Sequence, residues 1–316
     1  MVQAEAFFGG CTMKEIFKIT IALTIACLIA GGVMGGVFIA TAKAKKRNDH
    51  LNTQQTLIGL LGYSSPRSAP SDLKLHTICR YTIEEDAGTH SGYMVPVMAS
   101  GKTEYELLIV DLEGQCVSRH RLGLQSEKAM DEQDRKDAIT HVLGPGPTVS
   151  HADTVTIAGM DAKRRAYVIP GKFPGYKNAI HVMVALNPDF SILGLEITAH
   201  EEDPGLGGEI EKEYFKNQFK GKAFENIKHL SVSKAPLAEE HKRYLETKEW
   251  GKRALSEGEL ASLGKKYQDE DIHAISGATI SSNAVANGVK RLVRNFAHRM
   301  ALLDRVIREN HVEAVF

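Results

Sequence analysis

Four cysteines are few for 316 residues, and none stands in a CxxC or CxxCH spacing. That leaves no paired-cysteine motif and no haem attachment site. Cys11 and Cys27 lie before and within an apolar run. Cys79 and Cys116 are then the pair able to bridge in the soluble part, and nothing in their spacing fixes the geometry a disulfide needs. Net charge is also missing, because 39 basic residues balance 39 acidic ones. A nucleic-acid binder would show a basic excess. With 25% charged and 43% apolar residues the chain has enough core to exclude disorder. There is no GxGxxG turn, no Walker lysine–serine pair, no GxSxG elbow and no internal repeat. A serine hydrolase built on Ser276 has no support. No catalytic residue and no metal-ligand set is expected.

Charge is wholly absent from one stretch. Ile19 to Ala42 reads ITIALTIACLIAGGVMGGVFIATA. At ~1.5 Å rise per residue this run exceeds the roughly 30 Å of a bilayer core. The apolar region of a cleaved signal peptide is shorter, about 7–15 residues. Thr24 also stands where a lipobox before Cys27 wants an aliphatic residue. A tail over residues 1–15 and a retained transmembrane helix over 16–42 are expected. Met13-Lys14 opens this pattern more naturally than Met1 does. Gly31, Gly32, Gly35 and Gly36 place small residues four apart, a face on which another membrane helix can dock. Lys14 and Lys18 precede the helix, whereas Lys43, Lys45, Lys46 and Arg47 follow it. The positive-inside rule leans towards a cytoplasmic C-terminal part.

Residues 43–72 read as a juxtamembrane stalk. Leu51, Leu57, Leu60 and Leu61 suit one side of a short helix, broken by the Pro- and Ser-rich stretch from Tyr63 to Ser71. Residues 73–153 form a β-rich part. Strands are expected over 73–83 and 104–112, with a turn at Glu113-Gly114 and a polar helix from Ser126 to Leu143. A second part, 154–316, holds expected strands at Thr154–Ile157, Arg165–Ile169, Ala179–Leu186 and Ile192–Thr198. Their turns are Met160-Asp161, the Pro- and Gly-rich segment Pro170 to Gly175, and Asn187-Pro188-Asp189. Glu211 to Phe219 reads as a short helix with Tyr214, Phe215 and Phe219 on its apolar side. Ala238 to Gly264 has the composition of a charged surface insertion. A last helix is expected to start at Ser281 or Ser282 and run towards Asn310, with a stripe of Val285, Val289, Leu292, Val293 and Phe296. The fold class is α+β: one transmembrane helix, then a mixed, largely antiparallel sheet domain with flanking helices.

Two loops carry the chemistry. Ser276-Gly277-Ala278-Thr279 is a small-residue turn running into the last helix. A helix start offers unpaired N–H groups and the positive end of the macrodipole, which suit a phosphate. Gly277 and Ala278 leave room for a bulky group, and Ser281 or Ser282 can cap the helix. Thr279 presents a hydroxyl that can be esterified, although threonine is a weak nucleophile without a base. Taken alone, the stretch reads equally as a capped turn. The other loop, His200 to Gly208, follows an expected strand. Pro204, Gly205, Gly207 and Gly208 make it tight enough to lie against a planar ring. His200, Glu201 and Glu202 are too close in sequence to converge on one metal ion.

Together these loops resemble the covalent FMN-binding domain shared by the Rnf and Nqr respiratory complexes. That family carries S/T-G-A-T, matched by Ser276 to Thr279. It also carries H-x-E-T-P-G-L-G, matched by His200, Glu202, Pro204, Gly205, Leu206 and Gly207. Asn217 to Lys222 and the single N-terminal membrane helix extend the likeness, which is good from about Val168 to Phe296. The layout looks most like the G subunit of Rnf complexes. The C subunit of Nqr or another covalent-FMN membrane protein is the alternative, and a cofactor-free membrane-anchored scaffold is the reading from a different class.

The resemblance implies FMN joined through its phosphate to Thr279 by a separate Mg-dependent flavin transferase. Ser276, Gly277, Ala278, Ser281, Ser282, Glu202, Asp203, Pro204, Gly205, Leu206 and Gly207 would surround it. It implies an electron-carrying subunit, working with other membrane subunits of a translocase that couples ferredoxin/NAD electron exchange to ion movement. It also places the soluble domain outside the inner membrane, in the periplasm, against the lysine and arginine count. In this chain Asp203 replaces the family's Thr. A carboxylate there either disfavours added negative charge on a reduced ring, lowering its potential, or turns into solvent.

Overall fold

The computed structural model describes residues 13–63, 68–85, 88–99, 101–160, 163–246 and 257–316. Cys11, Asp161 and part of the Tyr63–Ser71 break lie outside them. The chain divides into two compact units, Met1–Gln55 and Thr56–Phe316. Most of helix α1 (Met13–Leu60) belongs to the first. Within it, Lys14–Ala42 is the one helical stretch among the described residues that is long and apolar enough to cross a membrane. Its large side chains are bare, as in Phe17, Leu28 and Phe38 at 70–72% exposure. A soluble unit would bury such a surface, so the exposure itself calls for lipid or partner helices.

The second unit is built on one eight-stranded antiparallel sheet. Its strands are β1 (Lys74–Glu85), β2 (Gly88–Ala99), β3 (Lys102–Val110), β4 (Cys116–Gln125), β5 (Thr148–Met160), β6 (Lys163–Pro174), β7 (Ala179–Leu186) and β8 (Ile192–Ala199), in the order β4-β3-β2-β1-β5-β6-β7-β8. Successive side chains alternate between faces. On β3, Leu108 and Val110 enter the large core, whereas Leu107 and Ile109 enter a smaller one on the opposite face. Helix α2 (Glu132–Leu143), N-capped by Asp131, closes the smaller core with Ile139. The C-terminal end of α1 places Leu57 and Ile58 against Val168 and Ala185. Cys79 and Cys116 join different cores and are free thiols, so no disulfide joins them.

The prolines of the expected Pro170–Gly175 break lie inside β6. Pairing of β6 with β5 ends at Val168↔Thr156, while pairing with β7 continues to Pro174↔Ala179. Pro170 and Pro174 therefore sit where the strand has a neighbour on one side, the setting that tolerates a missing N–H.

The expected 211–219 helix is three short pieces: a 3-10 turn at Gly207–Glu211, helix α3 (Glu213–Lys216) and a 3-10 turn at Asn217–Phe219. Phe215 and Phe219 are fully buried there. Helix α4 (Phe224–His229) leads to β9 (Val232–Ser233), which pairs in parallel with β10 (Ile272–His273). Between them come α5 (Glu239–Leu245) and α6 (Glu257–Tyr267). This segment is not only surface, since His241, Leu245, Leu263 and Tyr267 are buried. Last comes α7 (Thr279–Glu309), whose Val285, Val289, Val293, Phe296, Met300 and Leu303 enter the large core. Each such side chain contributes about 1.5–3 kcal/mol by leaving water, so the start of α7 is held firmly.

Candidate functional site

Three loops converge at the first turn of α7. The β6–β7 hairpin brings Tyr176 and Lys177, the segment after β8 brings Glu202 to Gly207, and the β10–α7 turn brings Gly277 to Ser281. They enclose a cavity of about 420 Å³.

Helix α7 starts at Thr279, two residues before the first expected cap. Both serine hydroxyls are engaged elsewhere. Ser282 Oγ donates to Ala278 O and accepts from Ile275 N, each at 3.0 Å, which pins the turn onto the helix. Ser281 Oγ donates to Glu202 Oε2. No side chain caps α7. The amides of its first turn have no side-chain acceptor, their residues Thr279, Ile280 and Ser281 line the cavity, and the positive end of a 31-residue helix lies there. Among the described residues none hydrogen-bonds the Thr279 hydroxyl, and its side chain is half-buried at the cavity wall.

Glu202 is the strut of the site. It is 4% exposed. Its Oε1 accepts from Tyr176 N at 2.8 Å and Lys177 N at 3.1 Å, and its Oε2 accepts from Ser281. One carboxylate thus ties the hairpin and the helix to its own loop. The approach requires glycine at 207, where a Cβ would stand 2.7 Å from Glu202 Oε2 and 2.8 Å from Ser281 Oγ. His200 braces the same loop: its Nδ1 accepts from Glu202 N at 3.0 Å, and its Nε2 lies 2.9 Å from a Glu211 oxygen. His200 and Glu202 are both engaged in holding the loop, while Glu201 is exposed.

Asp203 neither points at the cavity alone nor turns freely into water. Its Oδ1 accepts from Lys177 Nζ at 2.5 Å, and this bond holds the lysine above its ordinary pKa. The Asp203 charge at the cavity is balanced by the Lys177 ammonium of the β6–β7 hairpin.

Of the residues named from sequence, Glu202, Asp203, Leu206 and Gly207 line the cavity from one side, and Gly277, Ala278, Thr279 and Ser281 from the other. Pro204 and Gly205 form the exposed tip of their loop, with Gly205 at φ 74°. Ser276 is exposed just before the turn, and Ser282 lies buried beneath it. Gly277, at φ 77°, packs under Leu206. Sequence reading missed Tyr176 and Ile280. Tyr176 is 64% exposed, Ile280 57% and Leu206 48%, so three bare apolar side chains ring one opening. A planar aromatic ligand would cover them. For FMN the fit is good: uncapped amides for the phosphate, a free hydroxyl beside them, and an apolar rim for the ring.

Residues 175–294 match the FMN-binding domain family, the span that contains every wall of this cavity. The chain is 31% identical over 213 residues to the G subunit of the ion-translocating oxidoreductase complex of Salmonella typhi, covering 63% of this chain and 86% of that one. The chain belongs to the G-subunit family of ion-translocating oxidoreductase complexes. A second member of this family is the G subunit of the proton-translocating ferredoxin:NAD(+) oxidoreductase complex of Clostridium ljungdahlii, 33% identical over 131 residues. That match spans 42% of this chain and about half, 53%, of the relative. Among solved structures, Shewanella oneidensis NqrC aligns over 46% of this chain and 57% of its own at 21% identity and a TM-score of 0.31, too weak a likeness to carry an argument. As a member of the G-subunit family, the chain carries an FMN-binding domain, and its membrane-helix candidate fits a single-pass anchor.

Proposed function

We propose that this chain is a membrane-anchored, electron-carrying subunit of an Rnf-type ferredoxin/NAD oxidoreductase, holding FMN by a phosphoester at Thr279 Oγ1. The observation that carries the reading is the meeting of two loops, bridged by the Ser281–Glu202 bond across 79 residues of sequence, around the uncapped start of α7 with the Thr279 hydroxyl free. The first-turn amides would hold the phosphate. Tyr176, Leu206 and Ile280 would cover the ring and keep water from its faces. Asp203 and Lys177 would leave the rim without net charge. The flavin, when bound, supplies the electron-transfer chemistry.

Ester formation would join Thr279 Oγ1 to the FMN phosphorus, break the phosphoanhydride bond of an activated FMN donor so that its other phosphate half leaves, and release the hydroxyl proton. Among the described residues no base lies in hydrogen-bond reach of that oxygen to take the proton. This supports maturation by a separate flavin transferase acting on an activated FMN donor. Partner subunits follow from family membership, and the bare face of Lys14–Ala42 suits helix contacts within the membrane. We place the soluble unit on the periplasmic side of the inner membrane, as the family resemblance implies. The four basic residues after the helix, against two before it, favour the other side. Reporter fusions at the C-terminus distinguish the two.

The chain co-expressed with a flavin transferase, denatured and run on a gel, is expected to carry flavin fluorescence in its band. Thr279→Ala is expected to abolish the fluorescence and Ser276→Ala to keep it. A band dark under all conditions would leave the cofactor-free scaffold.

A further inference from the structure

A second cluster lies at the other end of the segment that leads into the flavin site. His241 on α5, Glu270 two residues before β10, and His273 on β10 offer three ligand atoms that all lie within 4.8 Å of one another. The Nδ1 of His241 and the Nε2 of His273 each stand 3.4 Å from one Glu270 oxygen, Oε2. That is long for an N–H···O bond, whose usual length is about 2.9–3.0 Å. It matches instead the edge of a coordination tetrahedron, since two ligands about 2.1 Å from a zinc ion stand about 3.4 Å apart.

The proton positions point the same way. His273 Nδ1 lies 3.0 Å from the carbonyl oxygen of Ala235. A carbonyl only accepts, so Nδ1 carries a proton, and Nε2 is the ring nitrogen left facing the Glu270 carboxylate. A backbone carbonyl fixing the far nitrogen is also the usual outer partner of a metal-binding histidine. His241 is 5% exposed at its side chain and stacks on Tyr267, with ring centroids 3.8 Å apart and planes 5° from parallel. Its orientation is therefore set before any ligand arrives. The charged surroundings are two ammonium groups and four carboxylates. Lys222 is held by the Gln268 and Glu270 carbonyls, and Lys266 by Glu240; Asp269, Glu270 and Asp271 complete the set.

The geometry points to a divalent metal site of the zinc class, with His241 Nδ1, Glu270 Oε2 and His273 Nε2 as its protein ligands and water completing the shell on the side where Glu270 is exposed. The metal would clamp α5 to β10, and with it the charged segment to the strand that carries the Ser276–Thr279 turn. The rival is a protonated His273 donating to Glu270, which needs no metal. The site is independent of the flavin, so the apo chain serves for the test.

The full-length chain, free of any histidine tag and purified in detergent, is stripped with a chelator, equilibrated with zinc sulfate and gel-filtered. Elemental analysis is expected to find one zinc per chain, and cobalt substitution to give tetrahedral ligand-field bands. Glu270→Gln, half-exposed and shape-conserving, and His273→Ala are each expected to weaken binding by roughly tenfold or more. His181→Ala, an exposed histidine on β7, is expected to bind as wild type does. Because His241 is packed against Tyr267, its removal tests folding as well as ligation, and Glu270→Gln is the deciding variant. Absence of stoichiometric zinc in the wild type, or equal binding by wild type, Glu270→Gln and His273→Ala, would overturn the proposal.

Discussion

Glu202 and Glu270 are carboxylates placed at the two ends of one stretch of chain, and they are satisfied in opposite ways. Glu202 accepts from two backbone amides and a serine hydroxyl, and its surroundings hold nothing unmet except the donors of α7 above it. Glu270 Oε2 faces two imidazole nitrogens, each at 3.4 Å. The difference teaches what kind of ligand each place suits. The uncapped start of α7 suits an anion such as a phosphate, and the Glu270–histidine cluster suits a cation.

The comparison can be broken at its satisfied end first. Glu202→Ala leaves the Tyr176 and Lys177 amides and the Ser281 hydroxyl without their acceptor in a buried place. About 3 kcal/mol of stability is expected to disappear, measured by denaturant unfolding, and flavin loading is expected to fall with it. A loss below about 1 kcal/mol would show that Glu202 is no strut. Gly207→Ala tests the same strut by intrusion: a methyl group pushed between Glu202 and Ser281 is expected to cost about 1–3 kcal/mol and to reduce the yield of covalent flavin under limiting transferase. The smallest effect concerns the rim. Lys177→Ala leaves Asp203 alone beside the ring, and the flavin midpoint potential is expected to fall by a few tens of millivolts in redox titration. Asp203→Asn is expected to raise it. Equal potentials in both variants would show that the pair does not act on the flavin.

That the two motif loops would meet was legible in the sequence, and the histidine–glutamate cluster was not. Thr279, with Gly277 and Ala278 before it, and the run from His200 to Gly207 are short motifs whose residue types carry their own chemistry, and family resemblance joined them. Tyr176 gave no such signal, because its role comes from the hairpin that Glu202 holds in place. Ser281 and Ser282 looked like caps, since nothing local reveals that their hydroxyls bond to Glu202 and Ala278. The strand β6 ran through two prolines because its pairing with β5 ends at Val168↔Thr156, a fact of pairing rather than of composition. His241 lies far from Glu270 and His273 in sequence, on a helix whose charged composition read as surface, and only the packing of α5 on Tyr267 brings the three together.

The central claim is one ester at one atom. The most direct test is peptide mass spectrometry of the chain matured by a flavin transferase, with fragmentation that assigns the modified side chain. The account predicts the added mass of one FMN less one water on Thr279, absent in Thr279→Ala and present in Ser276→Ala. The same mass on Ser276 or Ser281, or an unmodified Thr279 peptide from a chain that carries flavin, would contradict it.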